Sequence, residues 1–135
     1  MQGINVRSKL AAFSEHWSPK IVGELNGQYV KLVKFKGEYV WHHHANEDEM
    51  FLVIKGQFEM HYRESGDSSG SHSGPGRERV ITLREGEFCI VPRGVEHKPV
   101  AAEECSVMLF EPAATRNTGN VTHAYTIEAG DLDRI

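Results

Sequence analysis

The sequence predicts an all-β fold, a small antiparallel β-barrel or sandwich made of short strands. Three observations carry that expectation. Apolar and β-branched residues gather in short runs, several runs alternate with polar residues at a period of two, and most close at a glycine or proline. Strands that short and that closely spaced bury enough surface only when they are wrapped into a sandwich or barrel.

The first strand region is "GQYVKLVKFKGEYVW", Gly27 to Trp41, where Val33 and Phe35 stand between lysines. "EMFLVIKG" is a short apolar run ending at Gly56. "QFEMHYR" alternates, with Phe58, Met60 and Tyr62 on a core-facing side and Glu59 and His61 on the other. "RVITLREG" and "EFCIVPRG" each close at a glycine, and "CSVMLFEP" closes at Pro112. "VRSKLAAFSEHW" allows one or two helical turns, or an extended arm packed on the barrel. "YTIEAGDLDRI" suggests a short strand followed by a final turn.

With 135 residues the chain suits one domain with one core. The barrel core is expected over about 27–112, with flanking arms at 1–26 and 113–135. Residues 64–79, "ESGDSSGSHSGPGRER", hold no apolar side chain and are expected to form an exposed, mobile loop with His72 in solvent. The net charge is −4, and the scattered lysines and arginines form no basic stripe, which argues against a nucleic-acid partner. No segment reads as a signal peptide or membrane span, so a cytoplasmic location is expected. Cys89 and Cys105 sit in apolar runs without a CxxC pair and read as reduced thiols.

The chemistry concentrates in "WHHHANEDEMF", Trp41 to Phe51. On extended backbone His42 and His44 share a face and His43 points away. Two imidazoles so placed can reach one ion, and imidazole suits zinc, iron, copper and nickel. Glu47, Asp48 and Glu49 all qualify as a carboxylate partner by spacing, and Glu49 leads the next apolar run. A hydrated turn without a metal is the competing reading. A second histidine arrives in "EGEFCIVPRGVEHKP", where Pro92 and Gly94 make a tight turn that aims His97 back toward the sheet.

These two stretches resemble the paired motifs of the cupins. Gly37, His42, His44, Glu49 and Gly56 follow the first motif, except that four residues separate Gly37 from His42 where the family pattern has five. Gly86, Pro92, Gly94 and His97 follow the second at every spacing, with Ala101 in place of its final asparagine. The resemblance implies a double-stranded jelly roll and one divalent metal ion, of iron, manganese, zinc or nickel, held by His42, His44, Glu49 and His97. It also implies a small-molecule ligand, and a homodimer formed through edge strands or sheet faces. His43 and Asp48 fall outside the ligand set.

Two classes of function follow. One is a metal-dependent enzyme of isomerase or dioxygenase type acting on a sugar derivative or oxoacid. The other is a non-catalytic module that binds or senses a small ligand. Arg93, beside the second turn, is a solvated turn residue or a contact for an anionic substrate. Tyr62 is a packed residue or a proton donor. His16, His61 and His123 have no partner by spacing.

Overall fold

The computed structural model describes residues 1–64 and 76–135. His72 and most of the Gly/Ser-rich stretch lie outside the described residues. In chain order the elements are α1 (Val6–Ala11), β1 (Lys20–Leu25), β2 (Gln28–Glu38), β3 (Glu49–Lys55), β4 (Gln57–Glu64), β5 (Arg77–Arg84), β6 (Phe88–Val91), β7 (His97–Pro112), a 3-10 turn (Ala129–Asp131) and β8 (Asp133–Arg134). The all-β expectation holds. No helix among the described residues is long and apolar enough to cross a membrane.

β7 organises the sheet. One of its edges pairs with β2 along nearly its whole length, from Gln28↔Pro112 to Glu38↔Val100. Its other edge is shared. The His97–Val100 end pairs with β4 and the Ser106–Phe110 end with β3. The chain passes from β3 to β4 through Gly56, so one tight corner moves it between two parts of the sheet. Gly56 has φ +88°, and a Cβ there would lie 2.9 Å from the Glu104 carbonyl oxygen. Both the backbone conformation and the close approach require glycine.

The pairing runs from β5 through β4, β7, β2 and β1 to β8, with β3 branching from β7 and β6 pairing with β3. It does not close into a ring among the described residues, and β1 pairs with β8 in parallel. The sheet is therefore mixed rather than wholly antiparallel.

The expected boundaries also shift. The arms hold β1 and β8, which belong to the sheet. Residues 77–79, placed in the loop by composition, begin β5. At the C-terminus the turn precedes the strand, the reverse of the expected order. The N-terminal arm forms α1, capped by the Asn5 side chain, which accepts from the Ser8 N–H at 2.9 Å. α1 lies against its own chain, with Val6 and Leu10 packed on the buried Phe13, Val22 and Leu32.

Strand parity sorts the interior. Glu49, Phe51 and Val53 of β3 are buried, while Met50, Leu52 and Ile54 between them are half-buried. Phe51 and Val53 join Val33, Phe35, Phe58, Met60 and Val107 in the main core. Each large side chain buried there contributes about 1.5–3 kcal/mol. Tyr62 is half-buried at the end of that face. Cys105 is buried and Cys89 half-buried, and both are free thiols.

Gly56→Ala should lower stability by about 1–3 kcal/mol through the strained φ, with the clash adding to it. A lowered urea midpoint at unchanged m-value would show this. An unaltered midpoint would mean that the corner relaxes freely.

Candidate metal centre

His42 lies beyond the end of β2 on irregular backbone, and one bridge locates it. Its N–H donates to the His97 carbonyl at 3.1 Å, and the His97 N–H donates back to the His42 carbonyl at 2.9 Å. Two residues that exchange both bonds stand directly opposite, with side chains on one face, and their rings are 4.3 Å apart. His44 follows on the same face. The Gly94 N–H donates to its carbonyl at 2.7 Å, so the Pro92–Gly94 turn grips the backbone that carries it. Glu49 opens β3.

All four of these side chains are buried, with relative exposures of 3% for His42, 5% for His44, 4% for Glu49 and 0% for His97. Each offers one ligand atom, and these atoms lie within 4.8 Å of one another. Ligand bonds of about 2.1 Å put donors about 3–4 Å apart, so small side-chain shifts would let all four reach one ion.

The orientation of the rings fits that use. His42 Nδ1 lies 2.9 Å from the Val40 carbonyl oxygen and His97 Nδ1 lies 2.8 Å from that of Val95. A carbonyl only accepts, so each Nδ1 carries the proton and each Nε2 turns a lone pair inward. His44 Nε2 approaches Glu49 Oε1 to 2.7 Å and His97 Nε2 approaches it to 3.2 Å. Neither contact has hydrogen-bond angles, and all three atoms are buried without a hydrogen-bond partner. Buried polar atoms seldom stay unpaired. Together they converge like a ligand set.

Burial, then the neighbouring His97, pushes the His42 imidazole down to about 3. For Glu49, burial works to raise its value, but contacts from Glu111, His44 and His97 outweigh it and hold the carboxyl well below the usual range. Glu111 moves the other way, raised by burial and by Glu49.

The remaining candidates take other places. Asp48 is exposed, accepts the Arg93 backbone N–H at 2.8 Å and meets the Arg93 guanidinium, so both belong to the turn. His43 is half-buried, with Nδ1 3.4 Å from Glu96. The Glu47 side chain accepts from the Asn46 N–H at 3.3 Å. His16 pairs with Glu104, His61 lies near Glu59 and Glu78, and His123 accepts from the Tyr125 N–H.

Several neighbours of the cluster escaped the sequence reading. A small cavity of about 30 Å³ opens beside His42 and Glu49 between Trp17, Phe35, Tyr39 and Phe51. Trp17 stacks on Phe35 and Tyr39, each at 4.6 Å. It does so at φ 58°, a costly conformation for a bulky residue, held by its backbone N–H on the Lys34 carbonyl and its indole N–H on that of Lys36.

The C-terminal segment grips the histidine run. The His43 N–H donates to the Asn120 side chain at 2.9 Å, and the Asn120 N–H donates to the His43 carbonyl at 3.1 Å. Beside them Gly119, at φ +55°, sits so close that a Cβ would lie 2.2 Å from the His43 carbonyl oxygen. On the inner face, Lys31 and Glu111 form a buried ion pair at 2.7 Å. Parity held the one available signal for that pair, since Lys31 shares a face with Val33 and Phe35, and Glu111 with Leu109.

Comparison with known proteins agrees with this architecture. The cupin-domain family model matches residues 31–111, more than half of the chain, and the protein belongs to that family. Among solved structures, a cupin-2 domain containing protein from Shewanella frigidimarina is 42% identical at TM-score 0.69, with 81% of this chain and 93% of that one covered. A Neisseria meningitidis protein is 32% identical at TM-score 0.66, covering 82% and 99%. A hydroquinone 1,2-dioxygenase solved with Fe3+ shares the fold at 17% identity and TM-score 0.68, covering 84% and 33%. An uncharacterised Bacillus subtilis protein, YdbB, is 28% identical over 93 residues, which are 69% of this chain. The match spans 65% of that relative's length.

The depressed His42 sets a pH dependence for the metal-free protein. Its folded value lies below the ordinary 6.5, so the unfolded chain takes the proton first, and stability falls as pH drops from about 6.5 toward 3. Glu111, held high when folded, acts in the opposite sense above its ordinary 4.5. The His42 contribution is therefore the difference between wild type and His42→Gln. Urea unfolding between about pH 5 and 7 should show wild type losing stability on acidification more steeply than the variant. Parallel slopes would place a charged or solvated imidazole at position 42.

Proposed function

We propose that His42, His44, Glu49 and His97 hold one divalent metal ion, and that the protein uses it as an enzyme of isomerase or dioxygenase type on a small oxygen-bearing molecule such as an oxoacid or sugar derivative. The observation that carries this is the convergence of three buried, unpartnered ligand atoms. Three neutral imidazoles and one carboxylate suit iron, manganese, zinc or nickel and leave a divalent ion with a net charge near +1. When bound, such an ion supplies Lewis acidity and open coordination positions for water or a chelating substrate.

The chain's own residues do the rest. The Nδ1–H groups of His42 and His97 fix the ring planes through the Val40 and Val95 carbonyls. Trp17, Phe35, Tyr39 and Phe51 give the small cavity beside the cluster apolar walls. Tyr39 is an unsuitable proton donor. Its hydroxyl donates to the Asn117 carbonyl at 3.2 Å, and burial raises it above the ordinary phenol range. With no other acid or base lining the cavity among the described residues, the chemistry would fall on the metal and its ligands. The fold shared with a hydroquinone 1,2-dioxygenase solved with Fe3+ supports this reading.

A homodimer is the second part of the proposal. The registers align Ile90, Met50 and Phe110 in one row across β6, β3 and β7, and Phe88, Leu52 and Met108 in the next. Phe88 and Ile90 are each 59% exposed. Rows of this kind support pairing with a second copy.

Elemental analysis of the purified protein should find about one divalent metal per chain. His97→Ala should lose most of it and His43→Ala should retain it. No metal after reconstitution with iron, manganese, zinc and nickel would refute the centre, and equal losses in the two variants would refute the ligand assignment. Turnover of small oxoacids, sugars or catechols is the test of the enzyme reading. A ligand that raises thermal stability without turnover would favour a binding module.

Light scattering should give a dimer mass that Phe88→Lys/Ile90→Lys reduces to a monomer. A monomeric wild type would overturn that part.

A further inference from the structure

Lys31 and Glu111 have no role in the ligand set, yet they are 0% and 2% exposed. Buried ion pairs add little net stability, and apolar replacements often do as well. Their position in the sheet gives them a different use. The β3–β7 ladder pairs Met50 with Phe110 and Phe51 with Leu109. One further step of that register sets Glu49 opposite Glu111 on the inner face. On the other side, the β2–β7 ladder pairs Lys31 with Leu109 and Tyr29 with Glu111. Lys31 is thus the diagonal neighbour of Glu111 on the inner face, and its Nζ donates to Glu111 Oε1 at 2.7 Å. Glu111 Oε2 is buried without a hydrogen-bond partner, and Glu49 Oε1 faces His44 and His97.

Two carboxyl groups placed opposite each other in the interior repel unless cations flank them or one keeps its proton. Lys31 is the cation on one flank. On the other flank lies the cluster of His42, His44 and His97. We propose that Lys31 and Glu111 are positioning residues for the metal, with Glu111, anchored by Lys31, orienting the Glu49 carboxylate and setting the ion's affinity and ligand field. The inference rests on the four-residue metal site proposed above. Partners behind a metal-binding carboxylate typically govern metal affinity by about 10–100-fold.

The test uses Co2+ as probe, read by equilibrium titration and by its visible absorption, with unfolding of the metal-free protein measured alongside. Lys31→Met/Glu111→Leu removes both charges together and leaves no unpaired ion. It should weaken Co2+ binding about 10–100-fold and alter the absorption bands. In Glu111→Gln the amide can donate to Glu49 while its oxygen accepts from Lys31, so this variant should bind more tightly than the double variant. A folded double variant with wild-type affinity and spectrum would overturn the proposal. If the double variant does not fold, Lys31→Met alone decides: a changed Co2+ affinity or spectrum in folded protein supports the proposal, and unchanged ones overturn it. A wild type that takes up no Co2+ would overturn the metal site itself, and this inference with it.

Discussion

The site depends on the pair of backbone hydrogen bonds exchanged by His42 and His97. His42 follows the last residue of β2 by four positions and no regular strand carries it. Without the reciprocal bond, its ring would have no fixed relation to β7. With it, residues far apart in sequence stand opposite at the middle of the fold. Each such bond contributes only about 0.5–1.5 kcal/mol. The position is secured by accumulation, from the Gly94 grip on His44, the Asn120 grip on His43 and the two ring Nδ1 contacts.

The interior carries an unusual polar load. Four ionisable side chains of the cluster and the Lys31–Glu111 pair share one core with Phe35, Phe51 and Phe58. Desolvating each charged group costs several kcal/mol unless partners compensate. The arrangement answers with neighbours: carbonyls for the imidazole N–H groups, Lys31 for Glu111, and inward lone pairs that suit a cation. The aromatic stack of Trp17, Phe35 and Tyr39 keeps bulk water from relieving that demand, so the cluster's chemistry is decided by the groups that touch it.

Parity made much of this legible. The alternation at His42, His43 and His44, and at Glu49, Phe51 and Val53, puts the same residues inside in the sequence and in the structure. The apolar run that Glu49 leads and the family motif it fits pointed to Glu49, and the fold explains the exclusion of Asp48 by giving it to Arg93. The flanks were not legible. β1 and β8 are short and polar at their ends, and β8 has two residues, so periodicity had almost nothing to count. Asn120 and Trp17 act through backbone contacts made only after folding. Lys31 and Glu111 were readable in principle, but an ionisable residue at an inward position is ordinarily a sign of wrong register, and its partner stands 80 positions away.

The closeness of Gly119 to the His43 carbonyl has a consequence for what counts as a transferable unit. The family motifs lie within residues 31–111, while the side chain that holds His43 and the glycine that allows the approach come after them. Trp17, which lines the cavity, comes before. A transplant of the motif-bearing stretch into another scaffold would move the proposed ligands without the supports that aim them. The inheritable object is the motif together with both of its flanks, and substitutions near residue 119 belong among those that touch the centre.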